Sequence, residues 1–184
     1  MELISKSNLK KVRNTLENEK GNNVLFSYIN ESKLRDSLSS ETTIFLSHKH
    51  DEVEILKDAI ALLKKYEVNI YIDHLDEEMP KHTSGITAAK LKKKIKDNKK
   101  FILLATERAI ASKWCNWELG YGDAHKYINN IALLVIKDDN TNWSGSEYLQ
   151  IYPIISLKYN WSDEYYQVEF PDGKKVDLKD WLNS

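Results

Sequence analysis

The sequence predicts an α/β protein in which a parallel sheet carries helices on both faces. Three observations predict this class: short apolar runs rich in β-branched residues, amphipathic segments between them, and strict alternation of the two from residue 42 onward. Alternation of this kind is typical of β–α–β units, whose crossover helices return the chain to the same edge of the sheet. Ligands of such sheets bind at the carboxyl ends of the strands, so the loops that follow strands are the candidate site.

The individual elements follow from the period of the apolar residues. Strands are predicted at residues 42–46, 68–72, 101–105 and 131–136, with a short fifth strand at residues 152–157. These runs are apolar, as expected of strands that are buried on both faces. Helices are predicted at residues 51–66, at residues 85–97 and over the segment that carries Trp114 and Glu118, because their apolar residues recur at helical spacing.

Both ends of the chain are predicted to add structure to this core. In residues 1–41, Leu9, Val12 and Leu16 share one helical face, and a second helix at residues 26–38 runs into a linker at residues 37–40. Residues 161–184 are predicted to form a β-hairpin around the turn at residues 171–173, then a terminal turn that docks Trp181 and Leu182. The predicted division is an N-terminal helical extension (1–41), a core domain (42–160) and this hairpin and turn (161–184), packed on the core.

The composition excludes several classes of protein. The 184 residues carry a net charge of −1, so nucleic acid is not an expected partner. The single cysteine, Cys115, excludes an intrachain disulfide and fits a reducing compartment. No apolar run is long enough for a signal peptide or a membrane span, so we expect a cytoplasmic protein without a membrane partner.

Residues 112–118 (SKWCNWE) carry the most chemical information. In a helix Trp114 and Glu118 share a face, Cys115 lies beside them, and Gly122 is expected to leave that face open. An aromatic side chain, a carboxylate and an open space beside them are suited to binding an aromatic ring and a sugar hydroxyl. The competing interpretation is a solvated helix glutamate beside a half-buried tryptophan.

Trp117 is predicted to belong to a different face of the same helix. It is spaced with Tyr121 and Ala124 at i, i+4 and i+7, which is typical of a core stripe. Trp114 is therefore the better candidate for the wall of a site.

Two histidines follow the first predicted strand. His48 and His50 are spaced as metal ligands can be, but His74, His82 and His125 form no second recognisable ligand pair, so no metal site is predicted. Ser47 and its neighbours are instead predicted to line the cleft at the strand ends with polar groups and amides.

The loop at residues 73–84 is long and acidic, which is typical of a lid or a contact surface, although a solvated connection is the simpler alternative. Asp73 stands where a receiver domain has its phospho-accepting aspartate. A receiver domain also needs an acidic pair directly after its first strand and a lysine at the end of its last strand. Asp51 and Glu52 lie too far beyond the first predicted strand, and Lys137 is the only lysine near the place that the second requirement sets.

Three blocks together resemble the Toll/interleukin-1 receptor (TIR) domain family across residues 42–158. They are Phe45-Leu46-Ser47-His48, Tyr71-Ile72-Asp73 and residues 112–119 (SKWCNWEL). The resemblance implies a flavodoxin-like parallel sheet and identifies residues 73–84 with the family's mobile BB loop. Members that cleave NAD+ at the nicotinamide–ribose bond use the glutamate of the third block, which falls on Glu118. Scaffold members generally lack it, so Glu118 favours an enzyme.

The resemblance also implies roles for the site residues. Glu118 is expected to bind the ribose hydroxyls and to stabilise positive charge at the anomeric carbon, and Trp114 is expected to wall the ribose or the nicotinamide. The remaining residues expected to contact NAD+ are Phe45, Ser47, Asp73 and Cys115. NAD+ enters as a substrate, and no cofactor is expected.

A small member without a membrane span resembles the bacterial antiphage type, as in Thoeris systems, where the TIR protein makes a nucleotide signal from NAD+ for a separate effector. We therefore expect an NAD+ glycohydrolase or ADP-ribosyl cyclase that self-associates through its TIR domain. The sequence does not choose between ADP-ribose, a cyclic form and an adduct as the product. Two alternatives stay open: a non-catalytic module that assembles head to tail, and a hydrolase resembling nucleoside deoxyribosyltransferases.

Overall fold

A computed structural model describes residues 2–20, 42–80, 82, 84–139, 147–161 and 163–184. The helix predicted at residues 26–38, the linker at residues 37–40 and the domain boundary at residue 41 lie outside the described residues. Among the described helices, none is both long and apolar enough to cross a membrane.

A mostly parallel sheet occupies the centre of the described structure. Its strands are β1 (Ile4–Ser5), β2 (Thr43–Ser47), β3 (Asn69–Tyr71), β4 (Lys100–Ala105), β5 (Ile131–Lys137), β6 (Ile154–Asn160), β7 (Asp163–Glu169) and β8 (Lys175–Asp177). The order is β3-β2-β4-β5-β6-β7-β8, and the contacts from β3 through β6 are parallel. Counted from β2, the parallel strands run 2-1-3-4-5, the doubly wound order of flavodoxin, so the predicted fold is confirmed.

Helices cover both faces of the sheet. They are α1 (Lys6–Lys20), α2 (Val53–Lys64), α3 (Gly85–Asp97), α4 (Glu107–Ile110), α5 (Lys113–His125) and α6 (Leu178–Asn183). Alternate residues of β2 show the two layers: Ile44 and Leu46 pack into one core with α1, α2 and α6, whereas Phe45 packs into a second core with α3 and α5. The side-chain period of two along a strand produces this division.

The N-terminal segment enters the same sheet. In β1, Ile4 pairs with Ile136 near the end of β5, and the N–H of Leu157 on β6 donates to the carbonyl of Glu2 at 3.0 Å. β1 therefore lies between β5 and β6 where these two strands separate. The sequence predicted the helix α1 but not this strand, because two residues are too few to show a period.

The predicted C-terminal hairpin is confirmed. β7 and β8 are antiparallel, and Gly173 in the turn has a φ of 88°, a conformation that glycine adopts without strain. Trp181 and Leu182 are buried as expected, and the indole N–H of Trp181 donates to the carbonyl of Asn129 at 2.7 Å. A second hairpin, between β6 and β7, was not predicted.

Candidate functional site

The candidate site forms where three strand ends meet one helix. β2 lies between β3 and β4, so its last residue, Ser47, stands at the centre of the carboxyl edge. Asp73 begins the 3₁₀ turn (Asp73–Leu75) just beyond β3. Helix α5 starts after β4 and α4, and the Ser112 side chain caps it by accepting a hydrogen bond from the N–H of Cys115.

Glu118 is the buried acid of this site. Only 2% of its surface is exposed, and the Ser47 hydroxyl donates to its Oε2 at 2.5 Å. Trp114, one turn earlier on the helix, lies close enough to Glu118 to lower the pKa of this carboxyl. The interpretation of Glu118 as a solvated helix glutamate is therefore wrong, since this part of α5 faces the sheet.

The surroundings of Glu118 favour its protonated form. Burial raises the pKa of Glu118 to about 8, and the negative charge of Asp73 acts in the same direction. The hydrogen bond from Ser47, the positive charge of His50 and the nearby Trp114 side chain act in the opposite direction and are outweighed. A carboxyl group of this kind can change its charge near neutral pH.

Asp73 is held in its charged form by a histidine. The Nε2 of His50 lies 2.8 Å from Oδ2 of Asp73. Although burial by itself raises the pKa of Asp73, this hydrogen bond and the charges of the neighbouring histidines lower that pKa below its usual value. The same hydrogen bond raises the pKa of His50. Asp73 therefore supplies a fixed negative charge near Glu118.

His48 and His74 lie next to this pair. His48 is buried; its Nδ1 is 3.1 Å from the carbonyl of Leu46, and its Nε2 is 2.9 Å from Nδ1 of His74. Burial lowers the pKa of His48 to about 4, so the ring is neutral at physiological pH. The nitrogen and oxygen atoms of His48, Asp73 and His74 lie within 4.8 Å of one another, a spacing that could hold a metal ion.

The other predicted site residues are placed at different depths. Phe45 is buried between the rings of Tyr71 and Phe101, each with its centroid 5.5 Å away. Cys115 is buried, its thiol donates to the carbonyl of His48 at 3.4 Å, and burial raises the pKa of that thiol. Trp114 is partly exposed, so among these three it alone presents surface to solvent.

Two expectations about the faces of α5 are wrong. Trp117 and Tyr121 pack against the second core but are only partly buried, and Ala124 is exposed, so the three residues do not form a fully buried stripe. Trp117 also stacks on Trp114 with 4.9 Å between centroids. The helix turns Cys115, Glu118, Leu119 and Gly122 toward the sheet instead. Nor does Gly122 leave a gap: the Phe101 ring fills the space, 3.2 Å from where a Cβ would be.

The site is closed in this conformation. Glu118, Ser47 and Asp73 are each less than a tenth exposed. A cavity of about 170 Å³ lies elsewhere, beside Thr106 at the end of β4, and none of the six predicted site residues lines it.

Comparison with known families identifies the fold. The TIR domain family matches residues 44–168, which is more than half of the chain and runs from the second residue of β2 to the last but one of β7. The chain belongs to the TIR domain family. The match runs past residue 160, so it includes β7, which the predicted domain boundary had left out.

Two curated relatives carry names that state an activity. The chain is 25% identical over 179 residues to the "Probable 3' cyclic ADP-D-ribose synthase ThsB'" of Bacillus cereus (strain MSX-D12), covering 90% of this chain and 86% of that protein. It is 30% identical over 81 residues to the "Putative cyclic ADP-D-ribose synthase TIR2" of Cytobacillus dafuensis, covering 42% of this chain and 21% of that protein.

Sequence reasoning missed the group of histidines. His74 was not recognised as a partner of His48, because the two are 26 residues apart and follow different strands. The signal was the topology: β2 and β3 are parallel neighbours, so residues just beyond their carboxyl ends lie together. The His50–Asp73 pair follows from the same juxtaposition.

Proposed function

We propose that the chain cleaves NAD+ at the nicotinamide–ribose bond, with Glu118 as the catalytic residue. The observation that supports this most strongly is the buried Glu118 carboxyl, hydrogen-bonded by Ser47 at the carboxyl edge of a TIR sheet. The names of both curated relatives describe cyclic ADP-D-ribose synthases, which carry out the same class of chemistry.

The chemistry needs negative charge more than it needs a nucleophile. The ring nitrogen of bound nicotinamide is positive, and when the bond breaks nicotinamide leaves as a neutral molecule, so no general acid is required. Positive charge then develops on the ribose at the anomeric carbon. A carboxylate fixed beside it stabilises that transition state, and low solvent access strengthens the interaction.

Glu118 can meet this need because its charge responds to the ligand. In the closed site the pKa of Glu118, raised by burial to about 8, keeps most of the carboxyl protonated at pH 7. The positive charge of bound NAD+ favours the carboxylate, which then accepts hydrogen bonds from the ribose hydroxyls. The Ser47 hydroxyl, 2.5 Å away, holds the carboxyl in place.

Neighbouring residues complete the proposed NAD+ site. Trp114, partly exposed beside Glu118, walls the ribose or the nicotinamide ring. Asp73, Phe45 and Cys115 shape the floor. Because Glu118 is buried, the proposal requires part of the segment that follows β3 to move and admit NAD+, and self-association of TIR domains is one way to hold the site open.

The acceptor that attacks the anomeric carbon decides the product. Water gives ADP-ribose, whereas a group within the ADP-ribose moiety gives a cyclic product, and each reaction releases one proton. We favour the cyclic product because both curated relatives are named as cyclic ADP-D-ribose synthases. We further propose that this product is a diffusible signal for a separate effector in antiphage defence.

Incubation of the full chain with NAD+ and analysis by mass spectrometry tests the proposal. We expect nicotinamide together with a product one water lighter than ADP-ribose. ADP-ribose as the sole second product would overturn the cyclase assignment but not NAD+ cleavage. If no nicotinamide forms, either alone or with extract of phage-infected cells, NAD+ cleavage is overturned and the assembly module is favoured.

A further inference from the structure

Three imidazoles and one carboxylate meet beside the ends of β2 and β3. The ring centroids of His48 and His74 are 4.9 Å apart, those of His48 and His50 are 5.3 Å apart, and those of His50 and His74 are 5.5 Å apart. Asp73 contacts this group through its 2.8 Å hydrogen bond with His50. NAD+ cleavage as proposed above gives His48 and His74 no role.

Hydrogen bonding fixes the orientation of His48. Its Nδ1 is 3.1 Å from the carbonyl of Leu46, and a carbonyl only accepts, so Nδ1 carries the proton. In the neutral ring Nε2 is then the acceptor, and it receives a hydrogen bond from Nδ1 of His74 at 2.9 Å. For His74 to bind an ion through Nδ1, the proton on this atom must move to the other nitrogen of the same ring. A histidine that donates one ring N–H to a backbone carbonyl and offers its other nitrogen is the usual arrangement of a metal ligand.

We propose that His48, Asp73 and His74 form a binding site for a zinc ion. Two imidazoles and a carboxylate are a donor set that suits Zn²⁺, and the ligating atoms already lie within 4.8 Å of one another. Water takes the fourth position, while His50 stays hydrogen-bonded to Asp73 as an outer partner.

The ligand atoms must move by up to about 1.4 Å relative to one another to hold the ion, because they start within 4.8 Å and must end about 3.4 Å apart. Tetrahedral zinc with bonds of about 2.0–2.1 Å to nitrogen holds its ligand atoms about 3.4 Å apart. The 2.9 Å separation between Nε2 of His48 and Nδ1 of His74 must therefore widen by about 0.5 Å. His74 is exposed on the 3₁₀ turn, so its ring can make that adjustment while the buried His48 stays fixed.

The ion would compete with the substrate. Asp73 is a zinc ligand here and part of the NAD+ site proposed above, so bound zinc inhibits nicotinamide release. This consequence rests on the proposed function, whereas zinc binding itself does not. We therefore test binding in the absence of NAD+, so that failure of one proposal leaves the other intact.

The test is titration calorimetry of the full chain, prepared without a histidine tag, with zinc chloride. We expect one zinc ion per chain for the wild type and for His125→Gln, the control at an exposed histidine of α5. We expect binding at least tenfold weaker for His74→Gln, whose exposed position makes misfolding unimportant. Equal affinity of His74→Gln and wild type, or no stoichiometric binding by the wild type, overturns the site.

Cobalt supplies a second, spectroscopic readout on the unaltered chain. One equivalent of Co²⁺ should give the intense visible absorption of a four-coordinate ion, and one equivalent of zinc should remove it. A weak, octahedral spectrum at one equivalent overturns the tetrahedral site whatever the variants do.

Discussion

The hydroxyl of Ser47 donates a hydrogen bond of 2.5 Å to the carboxyl of Glu118, which joins the end of β2 to α5 across 71 residues of sequence. This bond fixes the one buried acid of α5 at the centre of the carboxyl edge. It favours the carboxylate, whereas burial and Asp73 favour the protonated acid. The balance between these influences makes the proposed activity sensitive to pH.

We predict that kcat/KM for NAD+ rises with pH, is half-maximal near pH 8 and levels off about one pH unit above that. Catalysis needs the carboxylate, and the pKa of Glu118 is raised to about 8 by burial and by Asp73, so the active form is scarce at pH 6. Because kcat/KM reports the ionisation of the free enzyme, its decrease toward low pH, the acidic limb of the profile, should follow the protonation of Glu118. The measurement is nicotinamide release between pH 5.5 and 9.

Two substitutions should move that limb in opposite directions. Asp73→Asn removes the negative charge that raises the pKa of Glu118, so the limb should move to lower pH. Ser47→Ala removes the hydrogen bond that lowers this pKa, so the limb should move to higher pH. Shifts in the same direction, or no shift in either variant, would show that Glu118 does not set the profile.

Glu118→Gln should make the protein more stable at alkaline pH. Between its ordinary pKa of 4.5 and the folded-state pKa of about 8, raised by burial, the folded protein holds a proton that the unfolded chain releases. The free energy of unfolding of the wild type therefore falls as pH rises through this window. Glutamine does not titrate, so we expect similar stability at pH 5 and an advantage of at least about 1 kcal/mol at pH 8. Urea unfolding at both pH values measures this, and a pH-independent difference would contradict it.

Two glycines of α5 allow a matched comparison, in which the same substitution should change the free energy of unfolding in opposite directions. At Gly120 an added Cβ meets nothing within 4 Å, so Gly120→Ala should stabilise the helix by about 0.5–1 kcal/mol. At Gly122 the Cβ would meet the Phe101 ring at 3.2 Å, and that ring is held by stacking on Phe45. Gly122→Ala should therefore destabilise the protein by about 1–2 kcal/mol in thermal or urea unfolding. Equal effects of the two substitutions would mean that the Phe101 ring yields.

The N-terminal segment should be required for the stability of the sheet. Leu9 of α1 is fully buried in the core that α1 shares with α2, so Leu9→Ala should cost about 2–5 kcal/mol. Lys10→Ala, at the exposed neighbouring position, should change the free energy of unfolding by less than about 0.5 kcal/mol. A loss below about 1 kcal/mol for Leu9→Ala would show that α1 docks only loosely.

The parallel core was predictable because its signals are local. Residues 101–105 and 131–136 are uninterrupted apolar runs, and they became β4 and β5 within a residue or so at each end. β1 has two residues and β7 begins with three exposed residues, so neither carries a period that the sequence alone could reveal.

Only the part of the candidate site that lies within one turn of α5 could be predicted from the sequence. Trp114 and Glu118 were paired correctly from their spacing, since residues four apart share a helix face. The partners of Glu118 and His48 come from other elements: Ser47 is 71 residues from Glu118, and His74 is 26 residues from His48. Such contacts depend on strand order, and the orientation of α5, which leaves Trp117 only partly buried, depends on its packing against the sheet.

The most direct test of the central claim is the rate of nicotinamide release from NAD+ by Glu118→Gln, measured beside the wild type and Glu19→Gln. Glu19 is an exposed glutamate of α1, so its substitution makes the same chemical change away from the site. We predict that Glu118→Gln lowers the rate at least about 100-fold, the effect of removing one electrostatic stabiliser, while Glu19→Gln matches the wild type. Equal rates for all three proteins would contradict a catalytic role for Glu118.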